Sequence, residues 1–437
     1  MKKILIRAGM SPLVSHSPMD VLSNNLIGNN IGNTLFPHSI ARCLMREDTE
    51  IHTFVVRDDY SERAMKKIDE TYDCLVLPFA NAFRVSFVKD LRAVTRLVGN
   101  LTIPCIVVGV GAQANLDKMP KNKELADAVK EFMKTILEKS AKVGLRGEFT
   151  ADYLRSLGFQ AERDYTVIGC PSMYLYGGKL PEMKVAELTE RSSVSTNSKV
   201  QLPQKFHDFM ARSWKSLENY YYIPQVLQEI RLMYMGEVMP YDYHQLPGNF
   251  PILPDHDIYK EGRGVSFLDV PSWLRFLGER EFSFGSRIHG NIAAILAGTP
   301  CFIVVSDQRI RELAEYHRIP HIMMNELTDD TSIFKLHEHA DFSGIAKGHA
   351  ERFAHYLDFL HENGLKTVFD RDATPVETPF DTKLREVFPE PMQLLPYIAM
   401  EGRERAGRDR EISSLRENYW KMKHYLKRKR RGVDIEG

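Results

Sequence analysis

The chain has 437 residues, too long for a typical single core and long enough for two domains with a cleft between them. Its 58 basic side chains balance 58 acidic ones, which leaves the whole molecule no electrostatic reason to seek nucleic acid. No run approaches the roughly eighteen apolar residues of a spanning helix, and Cys43, Cys74, Cys105, Cys170 and Cys301, scattered without CxxC spacing, read as buried thiols of a reducing cytoplasm.

At the N-terminus, "MKKILIRAGMS" begins basic, but its short apolar run falls below the roughly seven residues of a secretory core and reads as a first strand. "KKILIRA", "EIHTFVV", "CLVLPF" and "IPCIVVGVG" are the early strands, and "TLFPHSIARCLM" and "KELADAVKEFMKTILEKSA" repeat apolar residues at helical spacing. That alternation argues for an α/β fold with parallel sheets and crossover helices. The first domain is expected over residues 1–178, ending near "VIGCPSMYL". A polar stretch from Glu187 to Lys199 precedes a second α/β set, expected over 179–330: the strands "YYYIP", "FSFG" and "CFIVV" and the helices "QVLQEIRLMYMGE", "PSWLRFLGE" and "HGNIAAILAG". Residues 331–437 read as a helical extension that wraps or caps, closing in the basic tail "KMKHYLKRKRR". That tail suits a solvated helix end, or a contact with anionic lipid head groups in which each basic residue contributes on the order of 1 kcal/mol.

The stretch "FSFGSRIHGNIAAILAGTPCFIVV", residues 282–305, packs a strand, a Gly285-Ser286 turn and a short helix around Arg287 and His289. In open α/β sheets the loop at the carboxyl end of a strand points into the ligand crevice, and the next helix offers free N–H groups and a positive dipole end. Ser286 or a neighbour is expected to cap this helix, and Gly298 with Thr299-Pro300 to end it. Arg287 adds a permanent planar cation and His289 a group that exchanges a proton near neutral pH, which suits a phosphate or carboxylate. A structural ion pair and a self-capping histidine are the plainer alternative.

Other loops share this grammar. "LIGNNIGNTLF" places Gly28, Asn29, Asn30, Gly32, Asn33 and Thr34 at the entrance to a crossover helix, either as a binding loop or as a tight turn with an asparagine cap. "VVGVGAQ" sets Gly109, Gly111 and Gln113 after a strand but lacks the full GxGxxG of a dinucleotide site. "VGLRGEFTADYLRSLGF" places Arg146 between a strand and a helix, so that two arginines and a histidine would trap a small dianion, unless Arg146 serves a structural salt bridge.

The ordered series "NNIGNTL", "CIVVGVGAQ", "GLRGEFTADYLRSLG", "IGCPS" and "FSFGSRIHGNIAAILAGTPCFIV", followed by "SDQRIRELAEYHRIP", resembles the polysaccharide pyruvyl transferase family over roughly residues 5–325. The resemblance implies two Rossmann-like domains in a GT-B-like arrangement. It also implies transfer of a pyruvyl group from phosphoenolpyruvate to two hydroxyls of a cell-surface or exopolysaccharide sugar, or of its lipid-linked precursor, as a ketal. Carried over residue by residue, it makes His289 and Arg287 catalytic and gives Arg146 and the loop residues Gly32 and Asn33 to substrate binding; Ser286 and Gly290 of the same turn, and Gly111 and Gln113 of the loop after the fourth strand, are expected to bind substrate beside them. Phosphoenolpyruvate is the donor substrate, with no cofactor and no metal expected. The expected location is cytoplasmic, with a peripheral contact at the inner membrane face through the basic tail. A glycosyltransferase using a nucleotide sugar and a non-catalytic sugar-phosphate binding protein are the competing readings.

Overall fold

In a computed structural model, which describes residues 1–56, 60–114, 118–238, 249–400, 405–414 and 417, the apolar runs of the first half form the parallel strands β1 (Lys2–Arg7), β2 (Thr49–Phe54), β3 (Cys74–Pro78) and β4 (Cys105–Val108). Their order is β2-β1-β3-β4. Every residue of β3 is buried, as expected of a strand covered by helices on both faces, where each large aliphatic side chain contributes about 1.5–3 kcal/mol. One covering helix, Lys123–Leu137, buries Leu125, Ala128, Val129, Phe132, Met133 and Ile136 at helical spacing, and the Asn122 side chain accepts from Leu125 N at 2.8 Å to start it. Strands β5 (Val143–Leu145) and β6 (Tyr165–Val167) extend this layer, joined to the end of β4 by the Val110–Leu145 bridge.

The second sheet contains β7 (Ser193–Asn197), β8 (Asn219–Tyr222), β9 (Phe282–Gly285), β10 (Cys301–Val305) and β11 (His321–Met323), all parallel, in the order β11-β10-β9-β7-β8. The polar stretch 187–199 contains β7, an interior strand of the second sheet, hidden by its composition "SVSTN". Thr196 finds its partners within the core: its Oγ1 donates to Tyr221 O at 3.1 Å and accepts from Trp214 Nε1 at 3.0 Å.

Both sheets have a switch point, the place where successive connections leave in opposite directions, and crevices open there at the carboxyl ends of strands. In the first sheet it lies between β1 and β3, in the second between β7 and β9. The two domains meet across these ends in a GT-B-like arrangement. After the second sheet the chain crosses back, and the helix His349–Glu362 packs on the first domain. There Tyr356 stacks on Tyr174 with ring centroids 4.7 Å apart and His355 Nε2 lies 2.8 Å from Thr166 Oγ1. The basic tail 421–431 lies outside the described residues, and no helix among the described residues is long and apolar enough to cross a membrane.

Candidate active site

Gly285 ends β9 at φ +148°, and a Cβ there would stand 1.9 Å from Asn197 O, so this turn requires glycine. The close approach serves a purpose: Asn197 O accepts from Ser286 N at 3.1 Å, and Asn197 Oδ1 accepts from Arg287 N at 2.7 Å. The end of β7 thereby fixes the backbone from which the helix Ile288–Leu296 starts. Arg287, not Ser286, occupies the N-cap position, without a capping side-chain bond. Ser286 Oγ is buried and has no partner among the described residues.

Arg287 and His289 diverge. The Arg287 guanidinium runs along the end of β7, with Nε donating to Ser198 O at 2.7 Å and Nη2 lying 3.7 Å from Glu229 Oε1. The structural ion pair considered from sequence therefore exists, with a carboxylate that burial pushes above the ordinary glutamate range even though Arg287 opposes the shift. His289 turns the other way, into the domain interface. Its ring lies 5.7 Å from that of Phe36, its Nε2 is 3.7 Å from Cys170 Sγ, and its Cβ would be 2.8 Å from any Cβ added to Gly32. Gly32 thus makes room for the histidine.

Arg146 reaches the same place from the first domain. It is fully buried: Nε donates to Gly109 O at 2.7 Å and Nη2 to Phe79 O at 3.2 Å, and the guanidinium carbon sits 5.6 Å from the centre of the Phe36 ring that His289 also touches. Nη1 is buried with no partner among the described residues. Burial first, then the charges of Arg146 and Arg309, holds the His289 imidazole well below its ordinary pKa, so the ring is neutral at neutral pH.

Arg309 was not singled out from the sequence. It stands in the first turn of the helix Gln308–Tyr316, with Nη2 3.2 Å from Asp307 and Nε buried without a partner among the described residues. Three residues on, Glu312 spans the interface, accepting from Thr150 N at 3.1 Å and from Thr150 Oγ1 at 3.0 and 3.1 Å. Burial pushes its pKa up to about 7 against the pull of Thr150, Arg146 and Arg309. Lys199, just past β7, is 3.8 Å from Asp307 and is lowered to about 8 by burial. The available signal was the strand, acidic cap and helix of "VVSDQRIRELAEY", the same grammar as at Arg287.

A family model for polysaccharide pyruvyl transferases matches residues 30–308, more than half of the chain. The chain belongs to the polysaccharide pyruvyl transferase family. No curated protein matches it. Solved structures similar to this family member include a functionally uncharacterized protein from Klebsiella pneumoniae, with 13% identity over 74% of this chain and 92% of that one and a TM-score of 0.39. Two others are a UDP-GlcNAc 2-epimerase from Methanocaldococcus jannaschii in complex with UDP-GlcNAc and UDP (12%, 82% and 100%, TM-score 0.44) and a sucrose-phosphate synthase from Thermosynechococcus elongatus (11%, 83% and 98%, TM-score 0.41). Likenesses at this level bear on neither substrate nor chemistry.

Within this pyruvyl transferase family member the remaining sequence-derived site residues fall into two groups. Gly111 and Gln113 lie at the interface: a Cβ on Gly111 would meet Arg146 Cδ at 3.2 Å, and Gln113 lines a cleft of about 810 Å³ whose walls include Arg84 from the first domain and Lys199, Ser306 and Asp307 from the second. Asn33 and Gly290 have framework positions. Asn33 Nδ2 donates to Ile27 O and Gly28 O, tying its own loop, and Gly290 lies where a Cβ would strike Gln225 Nε2 at 2.2 Å, so its bare backbone makes room for Gln225.

Proposed function

We propose that this protein transfers the pyruvyl group of phosphoenolpyruvate to two hydroxyls of a saccharide of an exopolysaccharide or its lipid-linked precursor, forming a ketal and releasing phosphate. The observation that carries this reading is the pair of buried, unpartnered donors, Arg146 Nη1 from one domain and Arg309 Nε from the other, both acting on one neutral histidine. Buried donors without a protein partner are few in folded proteins, and these two can be satisfied by a bound anion. A three-carbon ligand carrying a carboxylate and a phosphate supplies acceptors for both forks, with charge-assisted bonds of about 1.5–3 kcal/mol each.

The histidine supplies the proton. In the free protein its neighbours keep it neutral, and a bound trianion reverses that field and favours the imidazolium. Proton transfer to the methylene carbon leaves C2 electrophilic. One acceptor hydroxyl adds there, the C2–O bond to phosphate breaks, and the second hydroxyl closes the ketal. In net terms one hydroxyl proton ends on the new methyl group and the other leaves with hydrogen phosphate. Arg146 and Arg309 stabilise the departing charge, and Arg287, anchored by Ser198 O and Glu229, holds the start of the helix that carries His289.

The test is acceptor-dependent phosphate release from phosphoenolpyruvate across a panel of soluble and lipid-linked saccharides. One acid-labile pyruvate ketal should form per phosphate released, and both should be lost in His289→Gln. A panel that releases no phosphate from phosphoenolpyruvate but consumes a nucleotide sugar with the same acceptors would overturn the proposal.

A further inference from the structure

The switch point of the first sheet opens into a second cavity, of about 430 Å³, which the chemistry above does not use. It lies at the carboxyl ends of β1 and β3, and its walls include Arg7, Asn33, Phe36, Phe79, Asn81 and Arg84. Phe36 also touches His289, so the cavity adjoins the proposed donor site there, and Arg84 also lines the interdomain cleft.

Its two arginines are held by aromatic rings and neutral oxygens. Arg7 lies over the Phe79 ring at 4.8 Å and donates from Nη1 to Pro78 O at 3.3 Å. Arg84 lies over the Phe87 ring at 5.1 Å, donating to Asn81 O at 2.8 Å and to Ser86 Oγ at 3.0 Å. Neither forms an ion pair among the described residues. Asp90 is near enough to oppose the shift of both, but burial wins and lowers both guanidinium pKa values, with Arg84 adding to the effect at Arg7 and Arg309 at Arg84. Mutually repelling cations held on rings and neutral oxygens leave fork donors unspent, while the aromatic faces beside them suit sugar ring C–H groups.

We infer that this cavity is the acceptor site and that it selects a saccharide bearing an anionic group, phosphate or carboxylate, which Arg7 and Arg84 bind while the sugar hydroxyls face Phe36 and His289. The inference rests on the pyruvyl-transfer reading for the role of the bound sugar, but the site itself can be tested without turnover. A neutral saccharide would offer Arg7 and Arg84 no ion pair.

The experiment is calorimetric titration of the full chain with the gluco-, galacto- and manno-hexose 1-phosphates, their uronic acids and their methyl glycosides. At least one anionic sugar should bind tenfold or more tighter than its methyl glycoside, and the preferred arm, phosphate or uronate, identifies the group. Arg84→Gln should erase that preference, Arg84→Lys should restore part of it, and affinity for phosphoenolpyruvate should stay within threefold. Arg7→Gln provides an independent check, and the preference should shrink with added salt. Equal affinity for charged and neutral sugars throughout, or a preference that survives Arg84→Gln and Arg7→Gln alike, overturns the inference. An Arg84-dependent preference in a protein that does not bind phosphoenolpyruvate would refute the donor assignment while the anionic-sugar site stands.

Discussion

Replacing Glu312 with glutamine should make the protein more stable at alkaline pH and leave it unchanged in acid. The carboxyl is 4% exposed, its pKa is raised from 4.5 to about 7, and its oxygens are held by Thr150 across the domain interface. At about 1.4 kcal/mol per unit, keeping it ionised in the folded state costs about 3 kcal/mol. The folded state holds the Glu312 proton more tightly than the unfolded chain, so this group's contribution is fully present below pH 4.5, declines as pH rises and is lost above about pH 7. Glutamine accepts from Thr150 N without the charge, so it escapes the loss. Urea denaturation of both proteins between pH 4.5 and 8.5 reads the difference, in which the titration of every other group common to both cancels. The variant should gain on the native protein up to about pH 7 and then hold a constant advantage of up to about 3 kcal/mol. Parallel stability profiles over the whole range would refute the reasoning, because they would mean that the carboxyl ionises without penalty and does not bridge a dry interface.

The other expectations concern the turn and the charges around it. Gly285→Ala should destabilise the protein by at least about 3 kcal/mol in thermal or urea unfolding, since a left-handed φ is combined with a Cβ 1.9 Å from Asn197 O. His289→Gln should lower turnover by about 10²- to 10⁴-fold with a smaller change in phosphoenolpyruvate affinity, as steady-state kinetics beside direct binding will show, because a general acid acts mainly in the transition state. Arg146→Lys should weaken phosphoenolpyruvate binding at least tenfold in a direct titration, since one ammonium nitrogen cannot occupy the Nε and Nη2 positions that hold Gly109 O and Phe79 O and also reach the ligand from that of Nη1.

Much of this architecture was legible because the first sheet is apolar. "CLVLP" and "CIVV" are buried on both faces, and continuous β-branched runs have few other interpretations. β7 was hidden for the opposite reason: Ser195, Thr196 and Asn197 are buried in a sheet interior, where Thr196 meets Tyr221 and Trp214 and Asn197 meets Arg287 instead of water. Arg287, His289 and Arg146 were found through strand–turn–helix grammar. The grammar could not tell which way adjacent side chains turn, so it paired Arg287 with His289, whereas the interface pairs His289 with Arg146 and Arg309. Glu312 and Phe36 lie within helical patterns that read as ordinary amphipathic segments, and only the meeting of the two domains gives them a role. Gly290 looked like part of a binding motif because helix-entry glycines often face ligands, yet its missing side chain accommodates Gln225.

The central claim is that the interface binds phosphoenolpyruvate through Arg146 and Arg309 and protonates His289 as it does so. Calorimetric titration with phosphoenolpyruvate and with UDP-glucose, at pH 8 in two buffers of different ionisation enthalpy, tests it most directly. Phosphoenolpyruvate should bind at least tenfold tighter than UDP-glucose, with proton uptake that falls in His289→Gln. Tighter binding of UDP-glucose, or phosphoenolpyruvate binding with the same proton uptake in both proteins, would contradict it.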